Sequence, residues 1–383
     1  MALMKHLGGR QAMGLVVLIT LGLLAIIAHR WLTHAEPLPV APPRVTQNLV
    51  APDGRLDQVY AVAVSHDGKT FACVTSQGVI VIWDAVRWQV RKAWLNRFGG
   101  LNVLALSPDG KMVVTEDVSG AGSLQFWNAA DGKLLWTIPA TDQSQTMAFS
   151  PDSQRLAIEG GDDSLAIWEV AKPPRRIWNH PGLTIGMQSW HDVHFSQDGR
   201  LLAYTGGPPG STVAALLNAR TGKRLRTFND QYGAFGHLAL SSDNRLLATE
   251  GENPRWKEPT GAFLTEASFA HTLTVKIWDT RTGRVLRTFP GGWSTSGGVQ
   301  ALYFIRETRQ LICCRGGGID IWDVVSGKHL RHYDNSLSES MADGPLAIFP
   351  DERRLIGADG KRESLCVWDL RTGKVIRRIM KWR

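Results

Sequence analysis

Between residue 57 and residue 383 one pattern recurs seven times: an alternating apolar segment that runs into a tight polar turn. The turns read Ser65-His66-Asp67-Gly68, Ser107-Pro108-Asp109-Gly110, Ser150-Pro151-Asp152-Ser153, Ser196-Gln197-Asp198-Gly199 and Ser241-Ser242-Asp243-Asn244. Ile305-Arg306-Glu307-Thr308 and Phe349-Pro350-Asp351-Glu352 are two degenerate copies. Pro at the second place and Asp-Gly at the third and fourth are what a hairpin turn demands of the backbone. One residue before each turn stand Val64, Leu106, Phe149, Phe195, Leu240, Phe304 and Ile348. Three before stand Val62, Leu104, Met147, Val193, Leu238, Leu302 and Leu346. Apolar columns with a period of two, repeated seven times, require seven equivalent strands, each with a buried face.

A second column lies downstream of each turn: Trp83-Asp84, Trp127-Asn128, Trp168-Glu169, Leu217-Asn218, Trp278-Asp279, Trp322-Asp323 and Trp368-Asp369, spaced by 41 to 61 residues. A third column is the turn Asp131-Gly132-Lys133, Thr221-Gly222-Lys223, Thr282-Gly283-Arg284, Ser326-Gly327-Lys328 and Thr372-Gly373-Lys374, followed by a short fourth strand. A period near 40–45 residues with four strands and a Trp-Asp ending is the mark of a propeller blade. At these residues the chain resembles the WD40 repeat family, over nearly all of 57–383. The resemblance implies an all-β, seven-bladed β-propeller, which closes on itself and so removes long exposed sheet edges.

It also implies that Trp83, Trp127, Trp168, Trp278, Trp322 and Trp368 fill the wedges between blades, each indole N–H needing a local acceptor. Leu217 breaks that column, so blade four is expected to pack less well. The family's Gly-His pair is missing at all seven expected places, and Gly236-His237 is read as lying inside a strand. The hydrogen-bonded His–Trp network of the family is therefore not expected.

Ahead of the repeats, residues 12–28 (AMGLVVLITLGLLAIIA) hold no charged side chain, enough for one membrane-spanning helix of roughly 26 Å. Lys5 and Arg10 precede the span and His29-Arg30-Trp31 close it. Residues 1–34 are thus expected to be an amino-terminal membrane anchor, and the charge balance puts the propeller on the extracytoplasmic side. The alternative is a leader that is cleaved, releasing a secreted protein. Residues 35–56 form a Pro-rich linker, extended where AEPLPVAPPR runs. The formal charge of +8 divides accordingly: Lys5, Arg10, Arg30 and Arg44 against Glu36 place +3 of it before residue 45. The remainder is too dilute for a nucleic-acid footprint.

Catalytic motifs are missing. There is no His-Glu-x-x-His, no Cys-x-x-Cys, no Gly-x-Ser-x-Gly and no Gly-x-x-x-x-Gly-Lys. His191 with His194, and His329 with His332, are i, i+3 pairs that a regular strand would point to opposite faces. Cys73, Cys313, Cys314 and Cys366 fall within predicted strands as small buried hydrophobes. No catalytic residue, cofactor or metal is assigned.

What remains is surface. The one long insertion, residues 252–272, carries Trp256, Lys257, Phe263 and Phe269. The resemblance places it on the same face as Trp190, between blades three and four, and Trp293, between blades five and six. Aromatics with a cation on one face are the makings of a protein-binding hot spot. Lys and Arg in the outer strands are read as edge protection against sheet-to-sheet pairing. The expected function is a non-catalytic protein–protein interaction platform tethered to a membrane, with unknown protein partners and no nucleic acid. The alternative is a propeller enzyme or small-ligand binder using the central channel. Which end latches the ring is left open between Val375–Met380 and the segment Arg44–Val50.

Overall fold

The computed structural model describes residues 58–96, 104–117, 123–139, 146–159, 164–180, 192–206, 213–229, 236–252, 273–290, 299–305, 309–315, 318–334, 346–358 and 364–379. The chain divides into two compact units, Met1–Pro43 and Arg44–Arg383, and every described residue belongs to the second. Among the described residues no helix is long and apolar enough to cross a membrane; the apolar span 12–28 and the linker 35–56 lie outside them.

The described part is all-β. Its strands form seven four-stranded antiparallel sheets, each from four consecutive strands, here lettered a to d from the innermost outward. Blade one is Val59–Val64, Thr70–Thr75, Val79–Asp84 and Gln89–Leu95; blade two is Leu104–Leu106, Met112–Asp117, Ser123–Asn128 and Leu134–Pro139. Blade three is Thr146–Phe149, Arg155–Glu159, Leu165–Glu169 and Arg175–His180; blade four is Val193–Phe195, Leu201–Gly206, Val213–Asn218 and Arg224–Asn229. Blade five is Leu238–Leu240, Leu246–Glu252, Leu273–Asp279 and Val285–Pro290; blade six is Val299–Ile305, Gln310–Arg315, Gly318–Asp323 and His329–Asp334. Blade seven is Leu346–Ile348, Arg354–Ala358, Leu365–Asp369 and Val375–Ile379. This is a seven-bladed β-propeller.

The core lies between blades rather than within them. Seven apolar clusters of the described residues correspond to the seven seams. Strands b and c are therefore covered on both faces and read as largely apolar runs, such as residues 79–83 of Val79–Asp84, which is buried throughout. Each repeat Trp packs into the seam with the preceding blade: Trp83 with blade seven, Trp127 with blade one, Trp278 with blade four and Trp368 with blade six. Trp168 and Trp322 lie at their seams half-buried.

The ring closes without exchanging a strand among the described residues. Val375–Ile379 supplies strand d of blade seven, and the first seam joins Val59, Phe71 and Val81 to Phe349, Ile356 and Val367. On the outside, the Arg377 guanidinium lies 5.1 Å from the Trp88 ring centre across the same seam.

The repeated Ser-x-Asp turn explains why the sequence spells it so often. The Ser65 hydroxyl donates to Asp67 Oδ1 at 2.7 Å and accepts the Thr70 N–H at 3.0 Å, while the same carboxylate oxygen accepts the Lys69 N–H. Ser107, Ser150, Ser196 and Ser241 repeat the bond to Asp109, Asp152, Asp198 and Asp243. Each Ser is buried, so its hydroxyl satisfies backbone that water does not reach. The fourth turn position has φ near +66° at Gly68 and Gly199, and Ser153, Asn244 and Glu352 hold that left-handed conformation without being glycine.

Blade four overturns the expectation of poor packing. Leu217 is buried in a seam that also holds Tyr204 of strand b. In blades two and five the residue at the Tyr204 position is Thr115 or Thr249, whose hydroxyl accepts the Trp127 or Trp278 indole N–H at 2.9 and 2.8 Å. Blade four exchanges the sizes, a large residue on b and a small one on c, so the wedge stays filled.

All seven blades carry an irregularity in the pairing of strand c with strand d, just before the Trp position. The extra residue on strand d shifts every following side chain to the other face. In blade six this corrects the sequence reading: His329 and His332 converge on one carboxylate. Asp320 Oδ1 lies 2.7 Å from His329 Nε2 and 3.0 Å from His332 Nδ1, and Arg315 pairs with Asp320.

Candidate functional site

The meander sorts the connections to two ends of the ring. Turns from a to b and from c to d lie at one end; connections from b to c and from blade to blade lie at the other. The second end receives the three loops singled out in the sequence. Their candidate residues, Trp190, Trp256, Lys257, Phe263, Phe269 and Trp293, lie outside the described residues. Their stems are described, and one hydrogen-bonded string joins them.

Asp192 ends the connection that carries Trp190. Its Oδ1 accepts the Val193 N–H at 2.9 Å, and its Oδ2 accepts the Leu238 N–H of blade five at 3.2 Å. His194 Nε2 stands 3.1 Å from Oδ1 and His237 Nδ1 3.6 Å from Oδ2. Thr205 of strand b completes the link: its hydroxyl accepts the Asp192 N–H and donates to the Gly236 carbonyl, both at 2.9 Å. Glu250 follows, two residues before the insertion stem at Glu252. Its N–H donates to the His237 carbonyl, and its carboxylate accepts the Val299 N–H at 3.0 Å. Val299 begins strand a of blade six and ends the connection that carries Trp293. Blades four, five and six are thus tied at the level from which all three loops leave.

The electrostatics follow from burial and neighbours. Burial opposes ionisation of Asp192, but the His194 and His237 imidazoles outweigh it and hold the carboxyl far below the usual carboxylate range. Burial likewise disfavours both imidazolium ions, and the Asp192 carboxylate more than compensates, so both imidazoles bind protons more readily than a free His. Glu250 moves the other way: burial raises it, against the charge of His237 and the Val299 N–H. The arrangement acts as a charged cross-tie.

Gly236-His237 is not inside a strand, contrary to the sequence reading, because strand a of blade five is only Leu238–Leu240. His237 therefore turns sideways into the string. Asp192, Thr205 and Glu250 carried no candidate role in the sequence. A signal existed for Glu250: Glu116 and Glu159 are the buried equivalents on strand b of blades two and three, acids at a fixed place in otherwise apolar strands.

His194 also faces the central channel, which is lined by His66, Pro108, Phe195, Tyr303 and Phe349 among others. Burial pushes the Tyr303 hydroxyl well above its ordinary value, and it donates to the Leu346 carbonyl at 3.1 Å. Among the described residues no three His, Cys, Asp or Glu side chains are arranged to hold a metal ion. The four cysteines are buried and unbridged, and burial raises the Cys313 thiol to about 12.

With the geometry in view, comparison with known proteins is specific for the repeat. Residues 47–84, which include strands a to c of blade one, match the family model for the WD domain, G-beta repeat. The chain is 25% identical over 274 residues to transducin beta-like protein 3 of Bos taurus, covering 70% of this chain and 31% of that protein. It is 26% identical over 123 residues to small ribosomal subunit protein RACK1 of Caenorhabditis elegans, covering 32% and 37%. It is 25% identical over 293 residues to a guanine nucleotide-binding protein subunit beta of Arabidopsis thaliana, covering 73% and 70%. The chain thus spans about a third of the first two relatives. Among solved structures, hydrazine synthase of Kuenenia stuttgartiensis superposes with a TM-score of 0.66 at 13% identity, covering 85% of this chain and 98% of that one. At that identity the likeness is one of fold alone.

Proposed function

This chain is a WD40-repeat β-propeller, and from that premise we propose that it works as a non-catalytic protein–protein interaction platform held to a membrane by its apolar amino-terminal span. Its relatives by sequence include chains named as subunits of larger assemblies, a guanine nucleotide-binding protein and a small ribosomal subunit. The observation that carries the reading is the cross-tie through Asp192, His237 and Glu250, which gives three loops rich in aromatic residues one rigid base. Loops on a rigid scaffold are where propellers and other folds place recognition. Trp190, Trp256, Phe263, Phe269 and Trp293 supply the aromatic anchors and Lys257 a cation. The span 12–28 and the Pro-rich linker would present that platform on the extracytoplasmic side.

The test is crosslinking of the full chain in intact cells, with the attached proteins identified by mass spectrometry. A partner lost on deletion of 252–272, and weakened by Trp256→Ala, supports the reading; a partner set indifferent to both changes refutes it. Protease protection of the ring in sealed membranes checks the tether and its orientation.

A second reading has its own observation. His194, more basic than an ordinary imidazole, lines a channel large enough for a small ligand. A stoichiometric small molecule or metal released on denaturing the purified chain would move the function to that channel.

A further inference from the structure

The outermost strands and the turns that lead into them carry most of the described cations, and the blades differ in how they neutralise them. In blade one Arg91 pairs with Asp84 at 2.9 Å; in blade three Arg175 pairs with Glu169 at 2.6 Å; in blade two Lys133 reaches Asp131 at 3.6 Å. The carboxylate comes each time from the end of strand c or the turn after it.

Blades four to seven depart from that rule. Lys328 and Arg331 of blade six and Arg371, Lys374 and Arg378 of blade seven form no ion pair among the described residues, and blades four and five link their cations directly. Blade four ends strand c in Asn218, whose side-chain oxygen accepts the Arg220 and Thr221 N–H groups. Blade five keeps Asp279, but one of its oxygens is engaged by the Thr282 N–H and hydroxyl at 2.6 and 2.7 Å. Arg220, Lys223, Arg224, Arg281 and Arg284 are exposed, and among the described residues none forms an ion pair. The Arg226 guanidinium donates to the Arg281 carbonyl, so the cations of the two blades form one continuous patch. Between them stand Leu225, Val285 and Leu286, exposed at 47%, 44% and 48%.

We propose that the outer edge of blades four and five is a second docking surface, for an acidic polypeptide segment that alternates carboxylate and apolar side chains. The proposal rests on the platform reading and adds a site away from the loop end. Charge complementarity selects the acidic partner: the six cations Arg220, Lys223, Arg224, Arg226, Arg281 and Arg284 face one carboxylate, Asp279, which has one oxygen held by Thr282 and interacts with the charge of Arg281. The chemistry selects a polypeptide over an anionic lipid surface. Five of the six cations are Arg, whose planar fork holds a carboxylate with two parallel bonds. Arg224-Leu225-Arg226 and Arg284-Val285-Leu286-Arg287 interleave charge and apolar contact at the spacing of an extended chain. The strand irregularity in each blade interrupts the ladder that an added strand would use, so recognition is by side chains. A convex rim also meets a planar bilayer only along a narrow strip, whereas a chain can follow it.

The experiment is fluorescence anisotropy of a labelled alternating Glu-Leu peptide against the full chain in detergent. A parallel arm measures capture by phosphatidylcholine vesicles containing phosphatidylserine. The Arg220→Glu/Arg284→Glu variant should weaken peptide binding at least about tenfold at low salt, since each reversal replaces an attraction with a repulsion. The milder Arg220→Gln/Arg284→Gln variant should lose an intermediate amount, which separates charge from misfolding. The Lys111→Glu/Lys133→Glu variant, with the same charge change on blade two, should bind like the wild type. No peptide binding, an equal loss in the blade-two variant, or vesicle capture in place of peptide binding overturns the proposal. If deletion of 252–272 abolishes peptide binding, the peptide sits on the loop end: the rim inference then fails while the platform reading stands.

Discussion

Asp192→Asn is the sharpest single perturbation of the cross-tie. The change keeps volume and shape but replaces one carboxylate oxygen by an NH2 donor. Two backbone N–H groups and two imidazoles face that carboxylate, so no rotamer of the amide can accept from both sides. Hydrogen bonds to a charged acceptor contribute about 1.5–3 kcal/mol each. The Leu238 bond, at 3.2 Å, belongs at the weak end of that range. Losing one of the two bonds and reducing the other to a neutral pair costs about 2–3 kcal/mol. His194 adds little, because its side chain is 39% exposed and solvent screens the pair. For a ring of this size the cost corresponds to a Tm lower by about 3–5 °C.

The pH dependence distinguishes loss of the tie from general damage. His194 and His237 are raised on folding, so their contribution is fully present below the unfolded imidazole value of 6.5 and is lost as pH rises through the folded values. Glu250, also raised, acts in the same direction from its unfolded value of 4.5 upward. Asp192 is depressed, so its contribution is present above 3.8 and disappears only as pH falls below it. The wild type should therefore be more resistant to urea near pH 6 than near pH 8, followed by Trp fluorescence. In D192N both imidazoles lose the carboxylate that raises them, and the decline across that window should flatten. A cost under about 1 kcal/mol, or an unchanged pH slope, would refute the reasoning.

Other parts of the ring make separate predictions. Glu352→Gly, at φ +53°, relieves a left-handed non-glycine residue and should stabilise by about 1 kcal/mol, seen as a small rise in the urea midpoint; no gain would mean that contacts of the Glu352 side chain offset the strain. Leu217→Trp alone should overpack blade four by about 1–3 kcal/mol, and Tyr204→Thr alone should leave a cavity of at least similar cost. Together they recreate the Trp–Thr pair of blades two and five, so a double-mutant cycle should show coupling above about 1 kcal/mol. Strict additivity would sink the idea that Tyr204 replaces the missing Trp.

Blade number, the Ser-x-Asp turns and the Trp column were all legible in the sequence, because the turn recurs in five blades and the Trp in six, and both depend only on local chemistry. Ser65 and its equivalents announce a hydrogen-bonded turn whatever surrounds them. The sites were less legible, since each depends on one departure from regular geometry. One extra residue on strand d of blade six inverts the alternation that separated His329 from His332. The shortness of strand a in blade five frees His237 from the alternation assigned to it. Tyr204 compensates Leu217 from a different strand, a relation invisible to any single column of the repeat. Glu250 carried no role in the sequence, and its part is visible only where its carboxylate accepts the Val299 N–H of the next blade.

Three of the departures fall together. Leu217 in place of Trp, the insertion 252–272 and the cross-tie from Asp192 to Val299 all fall from the start of blade four to the start of blade six. A propeller gains its stability from seven similar seams, so a neutral drift of sequence would spread irregularities over all of them. The seam between blades four and five nonetheless keeps an apolar cluster, through Leu216, Phe228, Leu247 and Trp278. Packing has thus been retained where the repeat signature has been given up. Such a combination is expected where a surface has been shaped for recognition and the scaffold beneath it must stay rigid. The loop end and the outer edge of the same two blades are therefore the surfaces on which substitutions should separate binding from folding most cleanly.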